Sequence, residues 1–427
     1  MHKPKDRRRG RRVTDRFDVA IVGGGPAGST AAYHLASRGR RVVVIDKARF
    51  PREKVCGDGL TPRAVKCLHE IGVSTDGPAW ARADGLRIIG GGVTLELPWP
   101  DLNAWPHEGL VQTRLDFDSL LLDHARKAGA EVWEETEVTG PLVDDSGVVA
   151  GVSYKNGDRG EVRAPVVIVG DGVANRFGIA LGIHRIESRP MGVAVRTYFT
   201  SPRWDDNYLE SYLELWRGND LLPGYGWIFP VPDGTVNVGL GLLNTSKHFQ
   251  AVDYKRLLWD WVAGLPAEWG LTRENQVGKI RGGSLPMGFN RTPLARPGLM
   301  LVGDAAGAVN PFNGEGIAYA METAAIAADV ADDALRAGDP RALRAYPERL
   351  REAYEGYFIL GRTFVKLIGN ARVMGALTKH GLKREWLMQF AFKILANLTE
   401  PRDGAASDRL INAMVRNAPA IDRMVHS

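Results

Sequence analysis

Phe17-Asp18-Val19-Ala20-Ile21-Val22-Gly23-Gly24-Gly25-Pro26-Ala27-Gly28-Ser29 decides the fold of this chain. A short apolar run ends in a glycine turn, a small-residue helical stretch follows to Ser37, and Val42-Val43-Val44-Ile45 closes on Asp46. That order predicts a strand, a tight turn, a helix and a second buried strand. Runs apolar throughout suit a parallel sheet covered on both faces. In Gly23-x-Gly25-x-x-Gly28 one glycine serves the turn, one lets a pyrophosphate approach the backbone, and one lets helix pack closely on strand. Pro26, Ala27 and Ser29 open the helix, whose free N–H groups suit an anion. Asp46 is placed to accept hydrogen bonds from an adenosine ribose. The expectation is a dinucleotide site over Gly23, Gly25, Pro26, Ala27, Gly28, Ser29 and Asp46; the plainer alternative is a structural turn.

Similar apolar runs at Val166 to Val169 and Leu299 to Val302 each end at a Gly/Asp turn, so one sheet is expected to be assembled from distant segments. Between them residues 191 to 243 alternate as strands do: Val193, Val195, Thr197 and Phe199, then Tyr208 to Leu215, Trp227 to Val231 and Val236 to Leu242. This predicts an antiparallel sheet inserted into the first domain. Residues 317 to 336 are Ala-rich and helical, and 340 to 398 predict further helices, with Leu387, Phe390, Ala391, Ile394, Leu395 and Leu398 in one apolar stripe. The fold class is α/β, a Rossmann-like domain with an inserted antiparallel-sheet substrate domain and a C-terminal helical extension. The expected division is a basic tail at 1–16, a cofactor domain over 17–84, 110–184 and 280–345, a substrate domain over 85–109 and 185–279, and a helical region over 346–427.

Composition excludes several classes. The chain has 427 residues, 55 Lys+Arg, 50 Asp+Glu and two cysteines, enough for a real core and too few thiols for a disulfide framework or a Cys-based zinc site. No metal site is expected. No apolar run approaches the length of a spanning helix, and the Arg-rich start reads as a charged tail rather than an export signal. The net charge of +5 is uneven: residues 1–16 carry +6, 17–335 carry −8 and 336–427 carry +7. Basic ends on an acidic middle do not describe a nucleic-acid reader. They suit a cytoplasmic body that touches an acidic surface, peripherally at the inner face of the cell membrane.

Leu301-Val302-Gly303-Asp304-Ala305-Ala306 resembles the second FAD motif of the p-hydroxybenzoate hydroxylase-like flavoproteins, and Asn310 to Ile317 leads into the Ala-rich helix after it. The resemblance implies FAD, with Gly303 and Asp304 at the ribityl and pyrophosphate region and Gly316 and Ile317 at the flavin pyrimidine, where the positive helix end favours an anionic reduced flavin. Val169-Gly170-Asp171-Gly172 and Thr113-Arg114-Leu115-Asp116 match two further motifs of that superfamily, making Asp171 and Arg114 cofactor residues. Asp304 as a helix cap, Asp171 as a turn residue and Arg114 as a surface residue are the alternatives. Cys56-Gly57-Asp58-Gly59-Leu60 and Pro223-x-Tyr225-x-Trp227-x-Phe229-Pro230 resemble the flavin-facing cysteine loop and the substrate-cavity motif of the geranylgeranyl reductase family, in particular its menaquinone-reducing branch. Cys56, Gly57, Asp58 and Gly59 are then cofactor residues, Tyr225, Trp227 and Phe229 substrate residues, and Cys56, Tyr225 and Trp227 catalytic. A buried core cysteine and core aromatics are the plain alternatives.

The resemblance implies saturation of an isoprene double bond in a polyprenyl chain, with the menaquinone side chain foremost and a geranylgeranyl lipid or diphosphate as the alternative. Such a bond lacks an electron-withdrawing group, so protonation toward a tertiary cation should precede or accompany hydride transfer, and the faces of Tyr225 and Trp227 can cushion the charge. Cys56, the flavin and a bound water are all candidates for the proton donor. The electron donor stays open among NAD(P)H, a ferredoxin-like protein and a membrane carrier. An aromatic monooxygenase or halogenase on the same scaffold is the main rival, although no halogenase lysine can be assigned. A non-catalytic flavin or lipid carrier is the rival from another class.

Overall fold

The computed structural model describes residues 15–426. The expected basic tail lies outside them except for Asp15–Arg16, a short strand paired with Val162 and Arg163.

Val19–Val22, Val42–Ile45 and Val166–Val169 are buried at every position. Strands apolar on both faces need cover on both, and these take the middle of a six-stranded sheet. Its order is Ala295–Arg296, Leu299–Leu301, Val166–Val169, Val19–Val22, Val42–Ile45 and Glu131–Trp133. Every pairing is parallel except that of the Ala295–Arg296 edge. Val19, Ile21, Val42, Val44, Val166 and Ile168 point to the face covered by helices Pro26–Ala36, Arg114–Lys127 and Ile317–Ala337. The alternate residues pack on Trp133, Val152, Tyr154 and Val162 beneath a four-stranded sheet. Burying one such Val or Ile contributes roughly 1.5–3 kcal/mol. Alanines at 31, 32, 324, 327 and 328, all within this core, keep the first and last of those helices close. Register puts Val22, Ile45, Val169 and Leu301 at one edge, so the turns after four strands gather there.

The second sheet has seven strands in the order Gln276–Pro286, Met191–Thr200, Thr235–Leu243, Gly224–Pro230, Tyr208–Tyr212, Gly85–Gly90 and Val93–Pro98. It is antiparallel apart from Tyr208–Tyr212 beside Gly85–Gly90. The α/β class with an inserted sheet and C-terminal helices is therefore the observed one. The strand Gln276–Pro286 runs through the boundary expected at 279/280 and pairs with Met191 to Phe199, so the sheet extends to Pro286. Helix Tyr254–Val262 covers one face through Leu257, Leu258 and Val262 against Val236, Val238 and Leu240. The opposite face carries Tyr225, Trp227 and Phe229 beside their cross-strand partners Gly241, Gly239 and Asn237.

Helix Tyr346–Ile368 packs on Ile317–Ala337, and Ala406–His426 packs on Tyr346–Ile368. Helix Glu385–Leu395 buries a face different from the expected stripe: Met388, Phe392 and Ala396 go inward with Leu398, while Leu387, Phe390, Ala391, Ile394 and Leu395 stay half-buried. The anchor is Trp99, whose ring lies 5.2 Å from that of Phe392 and selects the 388–392–396 row.

Candidate functional site

Gly23 has φ +99°, and a Cβ there would fall 2.5 Å from the Gly170 carbonyl oxygen. On Gly28 it would fall 1.8 Å from the Gly23 carbonyl, so strand, turn and helix pass closer than any side chain allows. A Cβ on Gly25 would meet the Arg52 guanidinium at 3.4 Å and nothing else among the described residues, leaving the backbone at that point open to a ligand. Pro26 takes the first turn of the helix without needing an N–H partner. Ser29 Oγ donates to the Gly24 carbonyl at 3.0 Å. Asp46 accepts the Gly24 and Ala48 N–H groups at 2.7 and 2.8 Å, which fixes its carboxylate beside the turn.

The other glycine turns meet this one. Gly303, at φ +57°, would place a Cβ 3.1 Å from that of Ala27. Asp304 Oδ2 lies 3.7 Å from Lys54 Nζ, and Asp304 Oδ1 lies 3.5 Å from where a Cβ on Gly316 would be. No side chain caps the helix that begins at Ile317, so its first N–H groups remain available. Asp171 receives the Phe177 N–H at 3.2 Å and holds a turn; its other oxygen is buried without a partner among the described residues, and burial raises its pKa. Arg114 is buried and forks onto Asp118 at 2.6 and 2.8 Å, and Arg52 joins the same carboxylate at 3.0 Å. Arg114 also faces the Cys56 thiol, which it draws downward against the larger upward push of burial. An open glycine backbone, two uncapped helix ends and the Arg52 cation beside them fit the pyrophosphate and flavin of FAD.

Next to this cradle the second sheet meets the Cys56 loop, and the region where they meet is the candidate substrate chamber. A Cβ on Gly57 would lie 3.2 Å from Phe229 and 3.3 Å from Trp227 Nε1, and one on Gly59 would lie 3.2 Å from Phe229, so the Cys56 loop lies flat on the aromatic wall. Trp227 itself lies over Gly239, where a Cβ would come within 2.2 Å of its ring. Asn237 ties wall to loop: its Oδ1 accepts Trp227 Nε1–H at 2.9 Å, and its Nδ2 donates to the Cys56 carbonyl at 2.9 Å and to Asp58 at 2.7 Å. Tyr198 donates to the same Asp58 carboxylate at 2.5 Å. Asp58 is fully buried at φ +68°, so its carboxyl faces the sheet rather than an open cavity. Tyr225 donates to the Asn313 carbonyl at 2.7 Å, joining the wall to the loop before Gly316.

Glu315 stands in that loop. Its Oε1 accepts the Thr61 hydroxyl at 2.5 Å, and its Oε2 is buried with no hydrogen-bond partner among the described residues. Arg63, whose charge acts on Glu315, pairs with Glu322 at 2.7 Å. Burial, opposed by Thr61 and Arg63, pushes Glu315 up to about 7. Burial also pushes Asp58 up to about 6 against the Tyr198 and Asn237 donors, and Tyr225 up to about 12.

Of the residues expected from sequence, Gly23 to Ser29, Asp46, Asp171, Gly303, Asp304, Gly316 and Ile317 gather at the cradle, and Cys56, Gly57, Gly59, Tyr225, Trp227 and Phe229 at the chamber. Arg114 lies behind Cys56. Sequence reading missed Arg52, Asn237, Tyr198, Thr61 and Glu315. Asn237 left a trace, a polar residue in the phase of Gly239 and Gly241 within Val236 to Leu242; Glu315 left one as an acid between two glycines at a helix start.

The FAD binding domain family matches residues 16–251. A menaquinone reductase of Mycolicibacterium smegmatis is 37% identical over 92% of this chain and 94% of its own length. A digeranylgeranylglycerophospholipid reductase of Thermoplasma acidophilum is 32% identical over 79% of this chain and 84% of its own. The chain belongs to the geranylgeranyl reductase family of FAD-dependent oxidoreductases. A solved geranylgeranyl bacteriochlorophyll reductase-like protein of Thermoplasma acidophilum superposes with a TM-score of 0.76 at 25% identity, covering 94% of this chain and all of that one. A flavin-dependent brominase shares the fold alone, with a TM-score of 0.72 at 19% identity over 96% of this chain and 100% of its own. The cofactor of the chain is FAD.

Proposed function

We propose that this geranylgeranyl reductase family member saturates an isoprene double bond of a polyprenyl chain, and that the chain is the menaquinone side chain. The observation that carries the reading is the aromatic wall in which Trp227 and Phe229 lie directly on the Cys56 loop and Tyr225 reaches the loop before Gly316, beside the cradle. When bound, FAD supplies the reducing equivalent as hydride. The residues do the rest. Tyr225 and Trp227, with ring centres 5.9 Å apart, hold an apolar chain and offer π faces to developing positive charge. Asn237 locks Trp227 and the Cys56 carbonyl to one geometry, and Arg114 keeps the thiol oriented. Apolar walls exclude water from a reactive cation. The 37% identity over nearly the full length of a menaquinone reductase favours the quinone tail over a diphosphate or ether lipid. The archaeal lipid reductase, at 32% identity, supports geranylgeranyl lipid as the second reading.

The division of labour follows: the parallel-sheet segments hold the cofactor and the seven-stranded sheet holds the prenyl chain. No described helix is long and apolar enough to cross a membrane. Exposed Leu367, Leu377 and Trp386 lie among Lys366, Lys379, Lys383 and Arg384, also exposed, and we assign them to peripheral contact with an anionic leaflet. The test is the mass of lipid quinones in cells with and without the gene. Menaquinone is expected to lose one H2 when the gene is deleted, and the protein to leave the membrane fraction at high salt. A mass change confined to ether or diphosphate lipids selects the second reading.

A further inference from the structure

We propose that Glu315 is the acid that delivers the proton as the isoprene bond is saturated, an inference that rests on the prenyl-reductase reading above. Saturating C=C requires one proton and one hydride. The hydride is the cofactor's contribution; the proton must leave a group that lines the chamber, holds it at neutral pH and is free to give it up.

The acids around the chamber can be taken in turn. Tyr225 already donates its hydroxyl to the Asn313 carbonyl, and burial keeps its proton tightly held. Tyr198 donates to Asp58. Asp58 also has a buried oxygen, Oδ1, without a partner among the described residues, but Tyr198 and Asn237 both donate to its Oδ2, which favours the carboxylate, and the residue is fully buried where Glu315 is half-buried. The Cys56 sulfur faces the Arg114 guanidinium and the Asp58 N–H, which are donors, and burial raises its pKa from an already alkaline value. Glu315 differs from all four. It stands between the two walls, since Thr61 at the end of the Cys56 loop holds its Oε1 while Asn313, two residues earlier, holds the Tyr225 hydroxyl. Its Oε2 is buried and unpartnered among the described residues, an arrangement that suits a neutral O–H far better than a carboxylate.

The groups that face Glu315 explain why it stays protonated and how it can let go. Arg63 and Cys67 face it from the helix Pro62–Glu70, Tyr319 and Glu322 from the helix Ile317–Ala337 that follows it, Tyr357 from the helix Tyr346–Ile368, and Tyr225 from the sheet. Arg63 is paired with Glu322, which leaves little net positive charge from it to ionise Glu315 in the resting site. During reaction the Glu315 O–H bond breaks and the alkene π pair forms a C–H bond with that proton. The hydride forms the second C–H bond at the more substituted carbon, together with or just after the first. The products are a saturated CH–CH unit, a Glu315 carboxylate and oxidised cofactor. Thr61 donates to the new carboxylate, and water reprotonates it before the next turnover.

The test uses FAD-loaded protein with menaquinone as substrate. Glu315→Gln is expected to keep its flavin content and to lower kcat by about 10²–10⁴-fold, the usual contribution of a general acid. Wild-type kcat is expected to fall as pH rises through about 7, because the active form is the protonated one. Thr61→Val, which removes the donor favouring the carboxylate, should move that limb to higher pH. A readout independent of turnover is the infrared C=O stretch of a protonated carboxyl at neutral pH, present in wild type and absent in Glu315→Gln. Turnover of Glu315→Gln within a few-fold of wild type, with the pH limb intact, overturns the proposal alone. A wild-type enzyme that leaves every prenyl substrate unreduced overturns the functional reading and, with it, the proposal.

Discussion

The cradle between Val22 and Ser29 presents backbone to its ligand, whereas the chamber around Cys56 presents side chains, and the two respond differently to substitution. In the cradle the determining contacts are the 2.5 Å and 1.8 Å approaches that only glycine permits at residues 23 and 28. In the chamber they are hydrogen bonds between residues far apart in sequence, such as Asn237 to the Cys56 carbonyl and Tyr225 to the Asn313 carbonyl. A backbone site fails when an atom is added. A side-chain site fails when an atom is removed.

The largest effect should come from adding atoms to the cradle. Gly28→Val puts Cβ and two methyl groups into the space held by the Gly23 carbonyl, and no rotamer relieves a clash with backbone. The expected result is protein purified without flavin and substantially destabilised, read by flavin absorbance and thermal unfolding. A variant that binds FAD normally would break the distinction at its strongest point, since it would show the turn free to move.

The same contrast explains what sequence alone could disclose. Glycines at Gly23, Gly25 and Gly28 are legible because the constraint is local: strand, turn and helix are consecutive, and spacing encodes the geometry. The parallel sheet was legible for a similar reason, as Val42 to Ile45 and Val166 to Val169 announce burial on both faces. Tyr225, Trp227 and Phe229 were found through resemblance, and alternation could say that they share a face but not which element they meet. Asn237 shows in the sequence only as a polar residue in phase with two glycines, because its importance is set by three partners, at 56, 58 and 227, that no local pattern joins. The resemblance places Asp58 at the cofactor through the Cys56 loop, but it does not disclose that a left-handed backbone turns the carboxyl toward Tyr198. The apolar stripe on Glu385–Leu395 is legible, but which row goes fully inward is not, because Trp99, nearly 300 positions earlier, selects it.

An intermediate effect is expected from removing atoms in the chamber. Asn237→Ala leaves the Trp227 N–H and the Cys56 carbonyl without these partners in a buried region and takes one of two donors from the Asp58 carboxylate. Each such loss costs about 1–3 kcal/mol, with partial relief by relaxation or water. The expected pattern is flavin retained, melting temperature lowered, and turnover reduced by more than flavin affinity, measured on the same preparation. Loss of flavin in proportion to turnover would mean that cradle and chamber are one cooperative unit rather than two.

Ser29→Ala asks the sharpest question of the cradle, because Ser29 is the one side chain in the turn that donates a hydrogen bond to it, from Oγ to the Gly24 carbonyl at 3.0 Å. If the cradle is held by backbone packing, deleting that hydroxyl should lower stability by about 1 kcal/mol, the net worth of an ordinary hydrogen bond, and leave flavin binding and turnover within a few-fold of wild type. Ser29 is almost fully buried, so the small loss cannot be attributed to solvent taking over the hydroxyl's role. It would mean instead that the Gly23 to Gly28 approach already fixes where the Gly24 carbonyl points. A loss of flavin as complete as that of Gly28→Val would reverse the argument: the cradle would then depend on a side chain as much as the chamber does, and the glycine spacing would be permissive rather than determining.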